Sequence, residues 1–142
     1  MRVAVLNGVN LDELGRRDPE VYGGLSHSQL ETLIYKWADE LGLTAECHQT
    51  NHEGQYVDWC HEALDWARGV VVNPGAWTHY SYAIRDALEL FKVPVVEVHL
   101  SNIDEREEWR RVSVISELVS KRIIGKGQDG YREALEYLKE TL

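Results

Sequence analysis

The stretch "GVVVN", residues Gly69 to Asn73, is a short apolar run that lacks the polar–apolar alternation of a half-exposed strand. Runs of this kind are typical of strands that are covered on both faces, as in a parallel sheet. Four more strand-like runs lie at 2–6, 44–49, 95–99 and 122–125. Patterns typical of helices separate them, near 28–41, 54–67, 80–91 and 128–140. This alternation predicts βαβ units and an α/β fold built on a five-stranded parallel sheet.

The size and composition of the chain limit what it can be. Its 142 residues suit a single domain, 1–142, with one core. The net charge of −9 argues against a nucleic-acid partner, because no basic stripe is present to match a phosphate backbone. No apolar run approaches the ~18 residues of a membrane span, and the first residues lack an export signal. With two separated cysteines, Cys47 and Cys60, the sequence predicts a reduced, cytoplasmic protein.

The helical patterns carry expectations about their ends and faces. Ser26 and Gln29 have the spacing of a capping box at the start of the first pattern. Thr78 is expected to cap the third pattern, in which Asp86 points away from the core. The apolar face of that helix is expected to comprise Tyr80, Ala83, Ile84, Ala87, Leu88 and Phe91.

The second helical pattern has more aromatic surface than its own core face requires. Its apolar stripe is expected to contain Val57, Cys60, Leu64 and Ala67. Trp59 and Trp66 lie off this stripe. Tryptophans in such positions are typical either of a subunit interface or of aromatic residues on a free surface.

A ligand site is expected where the strands end, because open parallel sheets bind ligands beyond their carboxyl ends. "NPGAWTH" (73–79) follows the third strand and "HLSN" (99–102) follows the fourth. These segments lack the glycine-rich loops that hold a dinucleotide or a triphosphate, so no such cofactor is expected. The amide, hydroxyl, imidazole and guanidinium groups at this edge suit proton transfer and the binding of an oxygen-rich anion. An anion requires local arginines here, because the whole chain is negative.

Two histidines at this edge are candidates for proton transfer. His99 ends a strand, which suits an oriented general acid or base, although a satisfied buried histidine is the alternative. His79 is expected in the first turn of the third helix, where it can contact a ligand or serve a local cap. His48 and His52 are four residues apart without a third ligand, so the sequence predicts no metal site.

The loop "GRRDPEVYGG", Gly15 to Gly24, combines cations with a single phenol. A phenol is a poor base at neutral pH, but neighbouring guanidinium groups favour its phenolate. Glycines on both sides allow such a loop to close and expel water. Tyr22 is therefore a candidate base with Arg17 as its activator, and the alternative is a lid tyrosine that only packs.

Several motifs together resemble the type II 3-dehydroquinate dehydratase family. They are "VLNGVNLDELGRRDPEVYG", "NHEG", "NPGAWTHYSYAIRDAL", "EVHLSN" and "IIGKGQDGYREAL", which occur in the family's order over nearly the whole chain. The resemblance implies a flavodoxin-like three-layer fold, no cofactor, and reversible anti-elimination of water from 3-dehydroquinate. It leaves open whether the enzyme serves aromatic biosynthesis or quinate breakdown.

The resemblance also implies roles for individual residues. Tyr22 matches the family's base, Arg17 its activating arginine, and Asn10 the asparagine that stabilises an enolate through a bound water. His99 matches the acid, with Glu97 as its expected carboxylate partner. Substrate contacts fall on Asn73, His79, Leu100, Ser101, Arg106 and Arg110.

Two further expectations depend on the family. Asp86 matches an aspartate that a neighbouring subunit supplies, in a homododecamer made of four trimers. Asp12 and Glu13 depart from the family pattern and place negative charge near an anion site. Two other functions stay open at this point: a related lyase or hydratase acting on another small polyhydroxylated acid, and a catalytically silent flavodoxin-like binding module.

Overall fold

In the computed structural model, which describes residues 1–142, the chain forms a five-stranded parallel sheet. The strands are β1 (Arg2–Asn7), β2 (Thr44–Gln49), β3 (Gly69–Asn73), β4 (Val95–His99) and β5 (Lys121–Ile124). Their order in the sheet is β2-β1-β3-β4-β5, and every neighbouring pair is parallel. The predicted α/β fold with five parallel strands is confirmed.

Helices cover both faces of the sheet. They are α1 (Pro19–Tyr22), α2 (His27–Glu40), α3 (Glu53–Ala63), α4 (Tyr82–Leu88) and α5 (Asp129–Thr141). The four longer helices follow the predicted order, whereas α1 was not predicted. No helix is both long enough and apolar enough to cross a bilayer.

The core has two parts because the sheet separates two layers of helices. Successive side chains of a strand point to opposite faces, so Val71 packs with α2 and α5 while Val70 and Val72 pack with α3 and α4. All five residues of β3 are buried. This central strand therefore has no solvent-facing side, which explains its unbroken apolar sequence.

The start of α2 follows its sequence signal. The Gln29 N–H donates to Ser26 Oγ at 3.2 Å, and the Ser26 N–H donates to Gln29 Oε1 at 3.0 Å. Both halves of the predicted capping box are present. These bonds satisfy backbone groups that the first helical turn leaves without partners.

The start of α4 differs from the sequence prediction. Thr78 does not cap this helix, because it lies in the 3₁₀ turn Gly75–His79, and Ser81 accepts from the Ile84 N–H at 3.1 Å instead. Tyr80 precedes the helix and is exposed rather than part of its apolar face. The prediction failed because the 3₁₀ turn takes up Thr78 and moves the cap of the helix to Ser81, three residues further along the chain.

The apolar face of α3 also differs in part. Tyr56 is fully buried and donates to the Leu6 carbonyl at 2.8 Å, whereas Leu64, expected in the stripe, is 37% exposed. Trp59 and Trp66 are partly buried against the core of their own chain, so they are not free surface aromatics. Leu64 is the C-cap residue of α3 and so lies beyond its regular helical stripe.

Both cysteines are free thiols, and burial raises the pKa of Cys47 and of Cys60 to about 12. A buried protonated thiol packs as a small apolar group, which is the role of Cys60 in the core, while Cys47 is half-buried at its edge.

Candidate active site

A cavity lies at the carboxyl ends of β1, β3 and β4, where open parallel sheets bind ligands. Ten of the eleven side chains predicted for the site line it: Asn10, Arg17, Tyr22, Asn73, His79, His99, Leu100, Ser101, Arg106 and Arg110. Its apolar wall, which sequence reasoning did not identify, includes Val9, Leu14 and Ile103. The eleventh predicted residue, Asp86, lies elsewhere.

Tyr22 is held by two guanidinium groups, one from its own loop and one from a distant part of the chain. Arg17 Nη2 donates to Tyr22 Oη, and Arg106 Nη1 donates to the same oxygen at 2.6 Å. The Arg17 guanidinium carbon also lies 3.9 Å from the centroid of the Tyr22 ring. Ser101 Oγ fixes Arg106, since it lies 3.3 Å from Arg106 Nη1. Two positive groups on one phenol oxygen stabilise negative charge there, which is the environment that a tyrosine base requires.

The loop that carries Tyr22 ends as the short helix α1. Asp18 caps this helix by accepting from the Glu20 N–H at 3.0 Å, and Pro19 occupies the first helical position. Gly23 then adopts φ 90°, a left-handed conformation that closes the helix and that other residues avoid. A proline start and a glycine end therefore fix the position of Tyr22 within a loop of otherwise polar residues.

His99 and Glu97 form a buried pair beside the cavity. Residues two apart in a strand share a face, and His99 Nε2 lies 2.6 Å from Glu97 Oε2. Burial opposes the charge of Glu97, but the hydrogen bond from His99 and the charge of Arg122 lower its pKa below the usual 4.5. The carboxylate therefore accepts from Nε2–H. This leaves Nδ1 of His99 as the ring nitrogen that a ligand can contact.

Two residues that sequence reasoning missed complete the surroundings of Glu97. Ser113 Oγ donates to Glu97 Oε2 at 3.1 Å, and Arg122 Nε donates to the same oxygen at 3.4 Å. Glu97 itself has no exposed surface. A buried carboxylate needs such partners, because an unpaired charge in the interior is costly.

His79 is placed at the end of a 3₁₀ turn rather than in the first turn of a helix. Its Nδ1 lies 2.6 Å from the Val112 carbonyl oxygen, which only accepts, so Nδ1 donates and Nε2 remains an acceptor. Burial lowers the pKa of His79 below its usual 6.5. The His79 and His99 rings stack with centroids 6.5 Å apart. A neutral His79 next to His99 suits a hydrogen bond from a ligand hydroxyl.

Asn10 lies in an unusual backbone conformation at the mouth of the cavity. It is the one non-glycine residue with positive φ, at 67°. Its N–H donates to Asn51 Oδ1 at 2.8 Å, and Asn51 Nδ2 donates to Asp12 Oδ2 at 3.0 Å. Glu13, the other acidic departure from the family pattern, pairs with Arg16 at 3.1 Å. Both acidic groups are thus engaged by partners, and asparagine tolerates the left-handed conformation better than most residues.

Asn73 is oriented by a chain of hydrogen bonds that runs through Tyr131 of α5 to Asn7 at the end of β1. Its Nδ2 donates to Tyr131 Oη at 3.0 Å, and Tyr131 donates to Asn7 Oδ1 at 2.7 Å. Its Oδ1 accepts from the Gly75 N–H at 3.2 Å. Burial raises the pKa of Tyr131, which keeps this phenol neutral and able to donate. Sequence reasoning missed Tyr131, because only the fold brings α5 next to the end of β3.

The arginine-rich turn after β4 supplies Arg110 to the cavity in addition to Arg106. Arg110 lies in the 3₁₀ turn Glu108–Arg111, and its Nε donates to the Glu107 carboxylate. This hydrogen bond lowers the pKa of Glu107, which is exposed. Trp109 supports Arg110, whose guanidinium carbon lies 4.1 Å from the Trp109 ring centroid. Because Glu107 is exposed, it can give way to an anionic ligand of Arg110.

Asp86 is separate from the cavity of its own chain. It lies exposed on α4, in a shallow groove between α3 and α4 lined by Val57, His61, Ala83, Ala87, Glu89 and Leu90. The structure therefore does not bring Asp86 together with the other predicted site residues. Its predicted role is in the site of a neighbouring subunit, not in the cavity of its own chain.

Comparisons with known proteins agree with the motifs. A family model described as dehydroquinase class II matches residues 1–139. A 3-dehydroquinate dehydratase of Thermotoga maritima is 54% identical over 142 residues, which cover 100% of this chain and 97% of that protein. The 3-dehydroquinate dehydratase of Halalkalibacterium halodurans is 48% identical, with 97% and 95% covered. The type II dehydroquinase structure from Propionibacterium acnes superposes with a TM-score of 0.94 at 45% identity, covering 98% of this chain and 96% of that one.

Proposed function

The chain belongs to the class II dehydroquinase family, and from that premise we propose that it removes water from 3-dehydroquinate to give 3-dehydroshikimate, reversibly and through an enolate. The observation that carries this assignment is one cavity lined both by a tyrosine clamped between two arginines and by a histidine that a buried carboxylate holds from behind. Elimination beside a ketone requires a base for the α-proton, stabilisation of the enolate, and an acid for the leaving hydroxyl.

Tyr22 is the base in this proposal. Its phenolate removes the proton from the carbon beside the ketone, and the electron pair moves onto the ketone oxygen to form the enolate. Arg17 and Arg106 both contact Tyr22 Oη and stabilise the phenolate before the proton arrives. The loop around α1 carries both Tyr22 and Arg17. In this proposal the loop acts as a lid, which brings the base and its activator to the bound substrate.

Asn10 serves the enolate. Its side chain lines the cavity from the end of β1 and holds a water that donates to the developing enolate oxygen. The left-handed backbone of Asn10 is maintained by the Asn51 side chain, so the amide is positioned before the substrate binds.

His99 is the acid. Its Nδ1–H bond breaks as the β-hydroxyl takes the proton, the carbon–oxygen bond breaks, and water leaves. The remaining electron pair of the enolate forms the new carbon–carbon double bond beside the regenerated ketone. Glu97 holds the ring through Nε2, which orients Nδ1 and stabilises the protonated imidazole.

The remaining residues hold the substrate. Arg110 binds its carboxylate in place of Glu107, together with the chain that follows β4 at Leu100 and Ser101. His79 contacts a ring hydroxyl through Nε2, because its Nδ1 is held by the Val112 carbonyl. Asn73 contacts another through the second hydrogen of Nδ2 or the second lone pair of Oδ1, because each of these atoms has a single partner in the protein. Arg106 also borders the substrate from the lid side.

The proposal extends to assembly in the cytoplasm as a homododecamer of four trimers. Asp86 would complete a neighbour's site, which agrees with its exposure on α4 outside its own cavity. Tyr80 and Tyr82 lie exposed at the start of the same helix and supply apolar area for such a contact.

A direct assay tests the function. The purified protein is mixed with 3-dehydroquinate, and the absorbance of the conjugated enone product is followed, with Tyr22→Phe as a control of matched shape. We expect turnover by the wild type and a kcat lower by about 10²- to 10⁴-fold in Tyr22→Phe, since the base is lost. Absence of turnover with 3-dehydroquinate, but activity on another polyhydroxylated acid, would assign a different lyase.

A further inference from the structure

Arg122 lies behind the His99–Glu97 pair and does not line the cavity. It is opposite Glu97 in the register of β4 and β5, so both side chains stand on the same face of adjacent strands. Its Nε is 3.4 Å from Glu97 Oε2, and its Nη1 is 3.7 Å from Asp104 Oδ2. Its Nη2 is buried without a hydrogen-bond partner. A guanidinium group that is partly removed from water acts strongly on the carboxylate it touches.

We propose that Arg122 is a positioning residue that keeps Glu97 ionised and thereby keeps the transferable proton on His99. This inference rests on the proposed function, in which His99 is the acid. Glu97 is fully buried, and its partners besides Arg122 are the hydroxyl of Ser113 and the imidazole of His99. Arg122 is thus the permanent positive charge on this carboxylate.

The charged surroundings of the pair determine where its proton resides. His99 faces Glu97 from the same strand, Arg122 faces it from β5, and Asp104 shares the Arg122 guanidinium. On the cavity side, His79 stacks on His99 and is held neutral by burial.

A positive charge next to Glu97 disfavours a proton on that carboxyl group more than one on the more distant His99 ring. The proton therefore lies on His99, with Nε2–H directed to Glu97 and Nδ1–H free to protonate the leaving hydroxyl. When Nδ1–H gives its proton to the hydroxyl, water forms and Glu97 remains a carboxylate. Without Arg122 the pair retains its proton more tightly and is a weaker acid.

The test is a double-mutant cycle on kcat with 3-dehydroquinate. We expect Arg122→Gln to lower kcat by about 3- to 30-fold, which lies within the range of coupling between contacting residues, with little change in KM. Arg122→Lys should retain most of the wild-type kcat, because lysine keeps a positive charge beside Glu97. In a Glu97→Gln background, Arg122→Gln has no further effect, because its target is gone. Arg132→Gln, the same substitution in the exposed ion pair with Glu136, leaves kcat unchanged.

Three results would overturn the proposal: the same kcat loss in the Glu97→Gln background, no rescue by lysine, or a change confined to KM. If Arg122→Gln does not fold, Asp104→Asn takes its place, because it removes the second carboxylate on Arg122 at an exposed site. That variant must alter the pH dependence of kcat when Glu97 is present and must not when Glu97 is replaced.

The stability of the folded protein gives a second test that does not depend on the reaction. The role of Arg122 can therefore be rejected even if the proposed function is correct. Arg122 stabilises the charged form of Glu97, whose pKa in the folded protein is lowered. The destabilisation caused by Arg122→Gln is therefore largest at pH 7 and shrinks as the pH falls through that pKa. Denaturant titrations at both ends of this range measure it. A pH-independent destabilisation would leave Arg122 as a packing residue.

Discussion

Tyr22 Oη accepts a hydrogen bond from Arg106 Nη1 at 2.6 Å, although 84 residues separate the two in the chain. One residue belongs to the lid loop after β1 and the other to the turn after β4. The contact ties the loop after β1 to the turn after β4. It adds a second positive group to the one that Arg17 supplies from within the loop. If Tyr22 is the base as proposed, the phenol is activated from two sides, and the effects of the two arginines can be compared.

Replacing either arginine of this clamp by lysine keeps the charge but loses the planar fork that reaches the phenol oxygen. We expect Arg17→Lys and Arg106→Lys each to lower kcat by about 10- to 100-fold, since a charge-assisted hydrogen bond to the base is lost. Arg16→Lys is the matched control, because Arg16 is the neighbouring arginine and its side chain is 85% exposed. An unchanged pH–rate profile in Arg17→Lys would show that Arg17 does not activate the base.

The Glu107 carboxylate accepts a hydrogen bond from Arg110 Nε and is expected to compete with the substrate carboxylate for this guanidinium group. Glu107→Gln should therefore lower KM by about 2- to 5-fold with little change in kcat, the size expected for breaking an exposed ion pair. Steady-state kinetics at low and high salt measure the difference in KM between Glu107→Gln and the wild type. This difference should be smaller at high salt, because salt screens the ion pair of Glu107 with Arg110. Glu108→Gln removes the same charge from the same turn and controls for the overall field. A higher KM in Glu107→Gln would mean that Glu107 orients Arg110 instead.

His79 makes stability depend on pH in a defined direction. Burial lowers its pKa in the folded protein below the usual 6.5. The unfolded chain therefore binds the proton at higher pH than the folded chain does. The stability that neutral His79 provides is fully present above about pH 6.5 and is lost as the pH falls through the lowered pKa of the folded state.

The variant His79→Asn tests this dependence. Asparagine keeps a donor for the Val112 carbonyl but does not titrate. The fall in unfolding free energy between pH 7.5 and pH 5.5 (about one unit on either side of the usual histidine pKa) should be smaller in this variant than in the wild type. His61→Asn, at an exposed histidine of α3, serves as the control. Equal pH dependence in all three proteins would contradict the prediction.

Asp86 provides a test of shared sites. Asp86→Ala should lower activity although the cavity of its own subunit is intact, because the residue would act in a neighbour's site. When Asp86→Ala and Tyr22→Phe proteins are dissociated and reassembled together, partial activity should return, since some sites then pair an intact Tyr22 with an intact Asp86. Ultracentrifugation verifies the assembly, and Glu89→Ala, an exposed acidic residue of the same groove, is the control. A fully active monomer, or no recovery in verified mixed oligomers, would leave Asp86 a surface charge.

The sequence by itself determined the five strands, the four longer helices and the edge of the sheet at which the site forms. Strand and helix patterns depend on residues close in the chain, so the five strands and the capping box of Ser26 and Gln29 could be predicted. The pairing of His99 with Glu97 was also accessible, because residues two apart in a strand share a face.

The tertiary structure alone decided which distant groups meet. Arg122 reaches Glu97 because β5 lies next to β4, and Tyr131 reaches Asn73 because α5 packs beneath the end of β3. Neither contact leaves a periodic signal in the chain, since strand order and the docking of a helix are set by the packing of the whole core. The 3₁₀ turn that removes Thr78 from the cap of α4 has the same origin: the Val114 N–H donates to the Thr78 carbonyl at 2.9 Å from a segment far along the chain.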